Sequence, residues 1–114
     1  MKKYSDTNEY ILVDGNMATV GISKQKLEEL GDVVHVDLPQ KGKEIKKGEV
    51  LLSVEAIKTE NDILSPVSGR IIDVNHEVEN NPDIVNEDPE GKGWLCKIEL
   101  CDPSEIELLK DEIS

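Results

Sequence analysis

The sequence predicts an all-β sandwich or barrel, and three features favour this fold class. Several short apolar segments follow one another along 114 residues, separated by turns that contain Gly, Pro or Asn. Aromatic residues make up only 3% of the chain and Phe is absent, so the core must be built from Val, Ile and Leu, which favour strands. The helical patterns are short and peripheral. We therefore expect one small domain over residues 1–114.

Apolar, β-prone segments mark the expected strands, and turn signals separate them. The segments are Tyr10–Val13, Met17–Ile22, Val33–Leu38, Val50–Ile57, Thr59–Leu64, Arg70–Val74 and Trp94–Leu100. Between the first two, Asp14, Gly15 and Asn16 predict a three-residue hairpin connection, with Gly where a positive φ is needed. The polar, Gly-punctuated stretch from Gln40 to Glu49 is expected to be a connection.

Two short helices are expected beside the strands. Ser23 is placed to cap a helix over Lys24–Leu30, which should lie on the body as a cover. Asp102 can cap a final helix, with Pro103 at its first position and Glu105 reaching back in a capping box.

The charge balance limits the possible partners without naming one. Asp and Glu number 25 against 13 Lys and Arg, so the net charge is −12. Such a field repels nucleic acid and anionic membranes and favours basic protein surfaces. An acidic surface also keeps a small protein soluble, and charge alone favours that simpler interpretation.

Neither a metal site, a disulfide nor a membrane segment is predicted. Cys96 and Cys101 lack the paired spacing of a zinc site, so both are expected to be reduced. His35 and His76 have no partner at metal-ligand spacing. No stretch approaches the length that spans a bilayer, and no apolar run follows the basic N-terminus. We expect a cytoplasmic location, or the mitochondrial matrix for a processed eukaryotic chain.

Lys58 falls where the strand pattern breaks. Leu52, Val54 and Ala56 alternate onto one face, and apolar character resumes only at Ile63. Lys58 should therefore sit at or beside a strand reversal, with its side chain in water. A lysine at a turn is ordinarily a solvated charge, so this position alone does not indicate a function.

A series of motifs in order is more specific. They are Gly31-Asp32-Val33-Val34, Glu55-Ala56-Ile57-Lys58, Ser65-Pro66-Val67-Ser68-Gly69, Val74-Asn75, Asn86-Glu87-Asp88-Pro89 and Gly93-Trp94-Leu95. Together they closely resemble the glycine-cleavage H protein family, the lipoate-bearing shuttles of glycine catabolism. The resemblance runs from Tyr4 almost to the C-terminus.

The resemblance implies a lipoyl attachment site and a specific architecture. The family's modified lysine lies in a Glu-Ser-Val-Lys-Ala setting that matches Glu55 to Thr59, which makes Lys58 the lipoylation site and Glu55 its motif flank. Lipoate is then the cofactor, carried as an amide. The implied fold is a barrel-sandwich hybrid of two antiparallel sheets, shared with biotin carriers. Those carriers typically place Met on both sides of their lysine, so Ile57 and Thr59 disfavour biotin.

The resemblance also implies a set of partners for a carrier that catalyses nothing itself. Glycine decarboxylase (P protein) loads an aminomethyl group onto the oxidised arm and releases carbon dioxide. Aminomethyltransferase (T protein) takes the one-carbon unit and releases ammonia, and dihydrolipoyl dehydrogenase (L protein) reoxidises the dithiol. A lipoate ligase or a lipoyl/octanoyl transferase would modify Lys58. We expect a monomer, because a shuttle must expose its arm to several enzymes.

A second group of residues fits the cargo. Thr7-Asn8-Glu9-Tyr10 aligns with the family's Ser-His-Glu-Trp, and Asp62 aligns with an acid just past the lipoyl lysine. In the family these positions help form a cleft that shelters the loaded arm. We expect the carboxylates of Glu9 and Asp62 to stabilise the protonated amine, with Thr7 as hydrogen-bond partner. The alternative that both acids are ordinary surface charges carries equal weight.

Two other classes of function stay open. Some H-like proteins relay lipoate to other lipoate-dependent complexes, and the departures at Asn8, Tyr10 and Thr59 leave room for that role. An unmodified interaction domain would keep the fold without using Lys58, although the presence of both Glu55 and Lys58 argues against it. A free-standing enzyme is disfavoured, because the sequence offers no nucleophile–base pair and no metal cluster.

Overall fold

Short antiparallel strands form most of the molecule in a computed structural model, which describes residues 1–111. The strands in that range are β1 (Lys2–Tyr4), β2 (Glu9–Asp14), β3 (Met17–Ile22), β4 (Val33–Asp37), β5 (Glu44–Ile45), β6 (Val50–Ala56), β7 (Glu60–Leu64), β8 (Gly69–Val74) and β9 (Cys96–Leu100). They build a six-stranded sheet, in the order β1-β2-β3-β9-β8-β5, and a three-stranded sheet, in the order β4-β6-β7. All described pairings are antiparallel. The predicted all-β fold of two antiparallel sheets is confirmed.

The helices are short and peripheral. They are α1 (Lys24–Leu30), α2 (His76–Asn80), α3 (Asp83–Glu87) and a 3-10 helix (Pro103–Leu108). Among residues 1–111, none of them has the length and apolar character needed to cross a bilayer.

An aliphatic core joins the two sheets. Val20 and Ile98 contribute from the larger sheet, and Val36, Val54 and Ile63 from the smaller, each at most 1% exposed. Burying one such side chain stabilises the fold by roughly 1.5–3 kcal/mol. The core therefore holds the three-stranded sheet firmly against its larger partner.

The first hairpin connection is one residue shorter than predicted. Asp14 pairs directly with Met17, so only Gly15 and Asn16 link β2 to β3. Gly15 has a φ of 60°, as the first central residue of a tight hairpin turn requires. The prediction of a three-residue connection was wrong because Asp14, though polar, still completes the ladder.

Two strands escaped the sequence pattern. β1 pairs with β2, and β5 pairs with β8 inside the stretch that was expected to be only a connection. Both lie at edges of the six-stranded sheet and contain no more than three residues. Segments this short carry too little alternation to be recognised, and charged side chains are common on edge strands.

The helix α1 forms as predicted. The Ser23 hydroxyl accepts a hydrogen bond from the Lys26 amide at 3.1 Å, and the Gly31 amide donates to the Leu27 carbonyl at 2.9 Å. Leu30 is buried, and Leu27 packs against the core. Lys26 is also buried, which the sequence did not indicate.

The last helix differs from the prediction. It is a 3-10 helix, and Asp102 caps it by accepting from the Ser104 amide at 3.2 Å. The Glu105 carboxylate accepts from the amide of Ser68 at 2.7 Å and from its hydroxyl at 2.9 Å. Instead of closing a capping box, Glu105 ties this helix to the turn before β8.

Candidate functional site

Lys58 lies in the reversal between β6 and β7. The last strand pair is Glu55 with Glu60, and the Ala56 amide donates to the Thr59 carbonyl at 2.9 Å, which closes the turn. Lys58 is exposed. The structure therefore places this side chain where the break in alternation predicted it.

The arms of this hairpin are fixed to the body. Leu52, Val54 and Ala56 are at most 5% exposed and face the core, as their alternation predicted. At the tip, the Ile57 amide donates to the Asp32 carbonyl at 3.0 Å, which joins the hairpin to the end of α1. The base of the Lys58 side chain is thereby held in place while its amine is free to reach solvent.

An acidic groove runs beside the tip, on the outer face of the three-stranded sheet. Its volume is about 180 Å³, and its lining residues include Asp37, Glu55, Glu60 and Asp62. Asp62 accepts a hydrogen bond from the Ser53 hydroxyl at 3.2 Å. Four carboxylates that line one groove create a negative field that attracts a basic protein surface.

Glu9 lies in a buried niche of its own. Its side chain is only 1% exposed, and its Oε1 accepts from the Ser5 hydroxyl at 2.9 Å and from the Thr7 hydroxyl. The Glu9 amide also donates to Ser5 Oγ at 3.1 Å. The structure brings Glu9 and Thr7 together, as the cleft hypothesis expects of them.

The second carboxylate oxygen of Glu9 faces Lys26. The Lys26 Nζ lies 3.4 Å from Glu9 Oε2, within ion-pair distance, but the contact lacks the geometry of a hydrogen bond. Lys26 was missed in the sequence because a lysine on a short surface helix ordinarily points to water. Its position beside Glu9 follows from the strand pairing, since Glu9 pairs with Ile22, the residue just before the Ser23 cap of α1.

A small cavity of about 150 Å³ adjoins this niche. Ser5 and Thr7, whose hydroxyls hold Glu9, line it together with Leu64 at the end of β7. Asp62 lies two residues before Leu64 and is exposed. Within residues 1–111 no hydrogen bond joins Asp62 to Glu9, and Asp62 lines the acidic groove whereas Glu9 does not.

Two departures from the family's Ser-His-Glu-Trp motif, Asn8 and Tyr10, are buried. Asn8 has a φ of 67°, a left-handed conformation that Asn tolerates better than most residues. Tyr10 is fully buried, and burial raises the pKa of its hydroxyl. Asn8 Oδ1 and the Tyr10 hydroxyl lack hydrogen-bond partners in the described part of the chain.

A larger cavity lies elsewhere. It has a volume of about 600 Å³ beside β5, and Glu44, Arg70, Glu99 and Cys101 are among its lining residues. None of the predicted site residues lines it. Cys101 and the buried Cys96 are both free thiols, in agreement with the sequence prediction.

Comparison with known proteins gives a consistent result. A sequence model described as Glycine cleavage H-protein matches residues 2–113. The glycine cleavage system H protein of Thermotoga maritima is 49% identical over 112 residues, which are 98% of this chain and 90% of that protein. The H protein of Parvibaculum lavamentivorans is 46% identical over 110 residues, covering 96% of this chain and 88% of that protein.

A solved structure agrees with these sequence relatives. The crystal structure of a glycine cleavage system H protein from Mycobacterium marinum matches with a TM-score of 0.82 and 34% identity, over 88% of this chain and 84% of that one. The chain therefore belongs to the glycine cleavage H-protein family, the lipoyl carriers of the glycine cleavage system.

Proposed function

We propose that this protein carries lipoate on Lys58 and shuttles an aminomethyl group among the enzymes of glycine cleavage. Those enzymes are glycine decarboxylase, aminomethyltransferase and dihydrolipoyl dehydrogenase. The observation that carries the proposal is the exposed Lys58 amine at the tip of a hairpin whose arms are packed into the core. A carrier of this kind has to present its arm rather than enclose it.

The surroundings of Lys58 fit modification by another enzyme. A lipoate ligase or a lipoyl/octanoyl transferase must reach the amine, remove its proton and form an amide. Exposure of Lys58 gives the access, and the fixed tip reduces the conformational entropy lost on docking. Glu55 and the other acids of the groove offer charged contacts to a basic enzyme surface.

When bound, lipoate supplies the dithiol–disulfide chemistry, and the residues of this chain present and protect it. For protection we propose Glu9, Thr7 and Asp62. A carboxylate stabilises a protonated amine best where water is excluded, and Glu9 meets that condition. Thr7 lines the adjoining cavity and orients the Glu9 carboxylate. Asp62 stands on β7, the strand that leads from Lys58 towards that cavity.

Intact-mass measurement after coexpression with a lipoate ligase tests the attachment site. We expect the mass of one lipoyl group on the unmodified sequence and on Lys41→Arg, a control at an exposed loop lysine. Lys58→Arg should carry none, because a guanidinium is not acylated under these conditions. A lipoyl adduct that persists on Lys58→Arg would refute the assignment.

Reconstitution with the three partner enzymes tests whether the protein serves glycine cleavage or relays lipoate to other complexes. The lipoylated protein should support glycine-dependent exchange of carbon dioxide, and Lys58→Arg should not. A lipoylated protein that fails in this exchange but donates lipoate to a 2-oxoacid dehydrogenase would instead be a relay. The departures from the family motif at Asn8 and Tyr10 are the feature that favours this second candidate.

A further inference from the structure

The two oxygens of the Glu9 carboxylate differ in their hydrogen bonding. Oε1 accepts hydrogen bonds from two hydroxyl groups, whereas Oε2 is buried and accepts none among the described residues. A buried anionic oxygen without a donor is costly, and native structures rarely leave one without a reason. The only opposite charge within ion-pair distance of it in residues 1–111 is Lys26, at 3.4 Å.

Lys26 is attached in a way that lets its amine move without moving the fold. Its backbone sits in the capped first turn of α1, where its amide donates to the Ser23 hydroxyl. The Lys24 amide holds the same turn by donating to Glu90 at 2.9 Å. Four flexible carbons then separate the fixed backbone from the amine. The Lys26 side chain is 11% exposed, so its route to solvent is short.

We propose that Lys26 is a built-in competitor for the cargo: its ammonium occupies Glu9 Oε2 in the empty carrier and is displaced by the ammonium of the aminomethylated arm. The inference rests on the proposed function, because it takes Glu9 as the acceptor for that cargo. Lys26 is a positioning residue here and touches neither the lipoyl sulfurs nor the carbon that is transferred. Its strength as a competitor sets how long the loaded arm stays sheltered.

The geometry of the Lys26–Glu9 contact supports a role for Lys26 as a competitor of the cargo and not as a purely structural ion-pair partner. A permanent buried pair is stabilising only when its hydrogen bonds are well formed. The Lys26–Glu9 contact has the distance of an ion pair without such a bond. An incoming primary ammonium that donates directly to Oε2 would make the stronger contact, and Lys26 could then turn to water.

The test uses the lipoylated full-length protein and needs no partner enzyme for loading. After reduction of the arm, formaldehyde and ammonium ion are added: a thiol, formaldehyde and ammonium condense to an S-aminomethyl ammonium and one water. No electrons are exchanged in this step. Intact mass first verifies the lipoyl group and then follows the decay of the adduct at fixed pH and temperature.

Two substitutions at one position should act in opposite directions. Lys26→Met removes the competitor and should lengthen the adduct half-life roughly fivefold, the low end of typical coupling between two ligands. Lys26→Arg supplies a bidentate partner that is harder to displace, so it should shorten the half-life. Lys41→Met, at an exposed loop lysine, is the matched control and should leave it unchanged.

The outcomes separate this inference from the function on which it rests. Equal half-lives for Lys26→Met, Lys26→Arg and the control would overturn the competition, as would a shift of both variants in one direction, the sign of simple loosening. Adduct decay that Glu9→Gln leaves unaffected would overturn the cargo role of Glu9, and the competition with it. Direct support would come from the Lys26 Nζ NMR signal, which should shift on loading while the Lys41 signal stays in place.

Discussion

Lys58 and Glu9 show how differently one small fold treats two charged groups. Lys58 is exposed and has no hydrogen-bond or ion-pair partner within the described residues. Glu9 is 1% exposed, with two hydroxyl donors and a lysine around it. The comparison indicates a division of labour. Under the proposed function, the amine that another enzyme modifies is held out by rigid strands, whereas the carboxylate that binds the ammonium of the cargo is enclosed.

The importance of the position of Lys58 can be tested by moving the amine one residue back along the chain. The double variant Ile57→Lys, Lys58→Ile keeps an amine in the reversal, and position 57 is itself exposed. We expect lipoylation to slow about 100-fold, because a misplacement of about 1 Å can cost that much in an acyl transfer. Initial rates with purified ligase, read by intact mass, provide the measurement. Rates equal to those of the unmodified sequence would show that exposure alone is sufficient.

The enclosed side predicts a large loss of stability on neutralisation. Glu9→Gln removes the buried charge that accepts hydrogen bonds from the Ser5 and Thr7 hydroxyls, and should lower the free energy of unfolding by about 2 kcal/mol. Asp62→Asn, at an exposed acid, should change it by no more than about 0.5 kcal/mol. Chemical denaturation compares the two variants. The double variant Glu9→Gln, Lys26→Met should regain part of the loss, and a strictly additive result would argue that the two groups are not coupled.

A smaller effect is expected at the joint between the two regions. Gly31 ends α1 with φ 80° and ψ −169°, a conformation that is essentially restricted to glycine. Gly31→Ala should therefore cost about 1–2 kcal/mol in unfolding free energy. It should also weaken the protection of the Ile57 amide from hydrogen exchange, since that amide donates to the adjoining Asp32 carbonyl. Unchanged exchange at Ile57 would mean that the tip does not depend on this joint.

The smallest effect concerns pH and the first strand. Desolvation alone would raise the pKa of Glu90, but hydrogen bonds from the Lys2 ammonium and the Lys24 amide outweigh it, so the pKa is lowered. The bond to Glu90 likewise raises the pKa of Lys2. Glu90 stabilises the fold above its unfolded pKa of about 4.3, and this contribution is lost as the pH falls through its folded pKa. Lys2 stabilises below its unfolded pKa of about 10.4, and its contribution is lost as the pH rises through its folded value.

Because Lys2 is well exposed, the pair should contribute less than about 1 kcal/mol at neutral pH. Glu90→Gln should remove that contribution at pH 7 and flatten the acid end of the stability profile. Thermal unfolding between pH 3 and pH 8 measures it. An unaltered profile would show that the contact is fully screened by solvent.

The sequence predicted what local alternation controls. The strand before Lys58 was predicted because the alternating apolar residues Leu52, Val54 and Ala56 form a segment long enough to identify a strand. β1 and β5 were not found, since two or three residues at a sheet edge show no period. The resemblance to the H proteins indicated Glu9 and Thr7, which the structure does bring into contact.

Lys26 could not be predicted in the same way. Its burial depends on the pairing of β2 with β3, which brings Glu9 to the strand that leads into α1. Nothing in the local sequence distinguishes this lysine from the exposed Lys24 beside it. The separation of Glu9 and Asp62 likewise depends on how the two sheets pack together. The sequence could therefore indicate the two acids as candidates but could not show whether they lie close to each other.

The seven residues of α1 connect the two proposed sites. Near its start the helix supplies Lys26 to Glu9, and immediately past its end Asp32 holds the hairpin that carries Lys58. A helix of this length spans only about 10 Å, so the same short element positions both Lys26 and the hairpin that carries Lys58. We therefore expect a single proteolytic cut within α1 to disturb both the Lys26–Glu9 contact and the bond from the Ile57 amide to the Asp32 carbonyl.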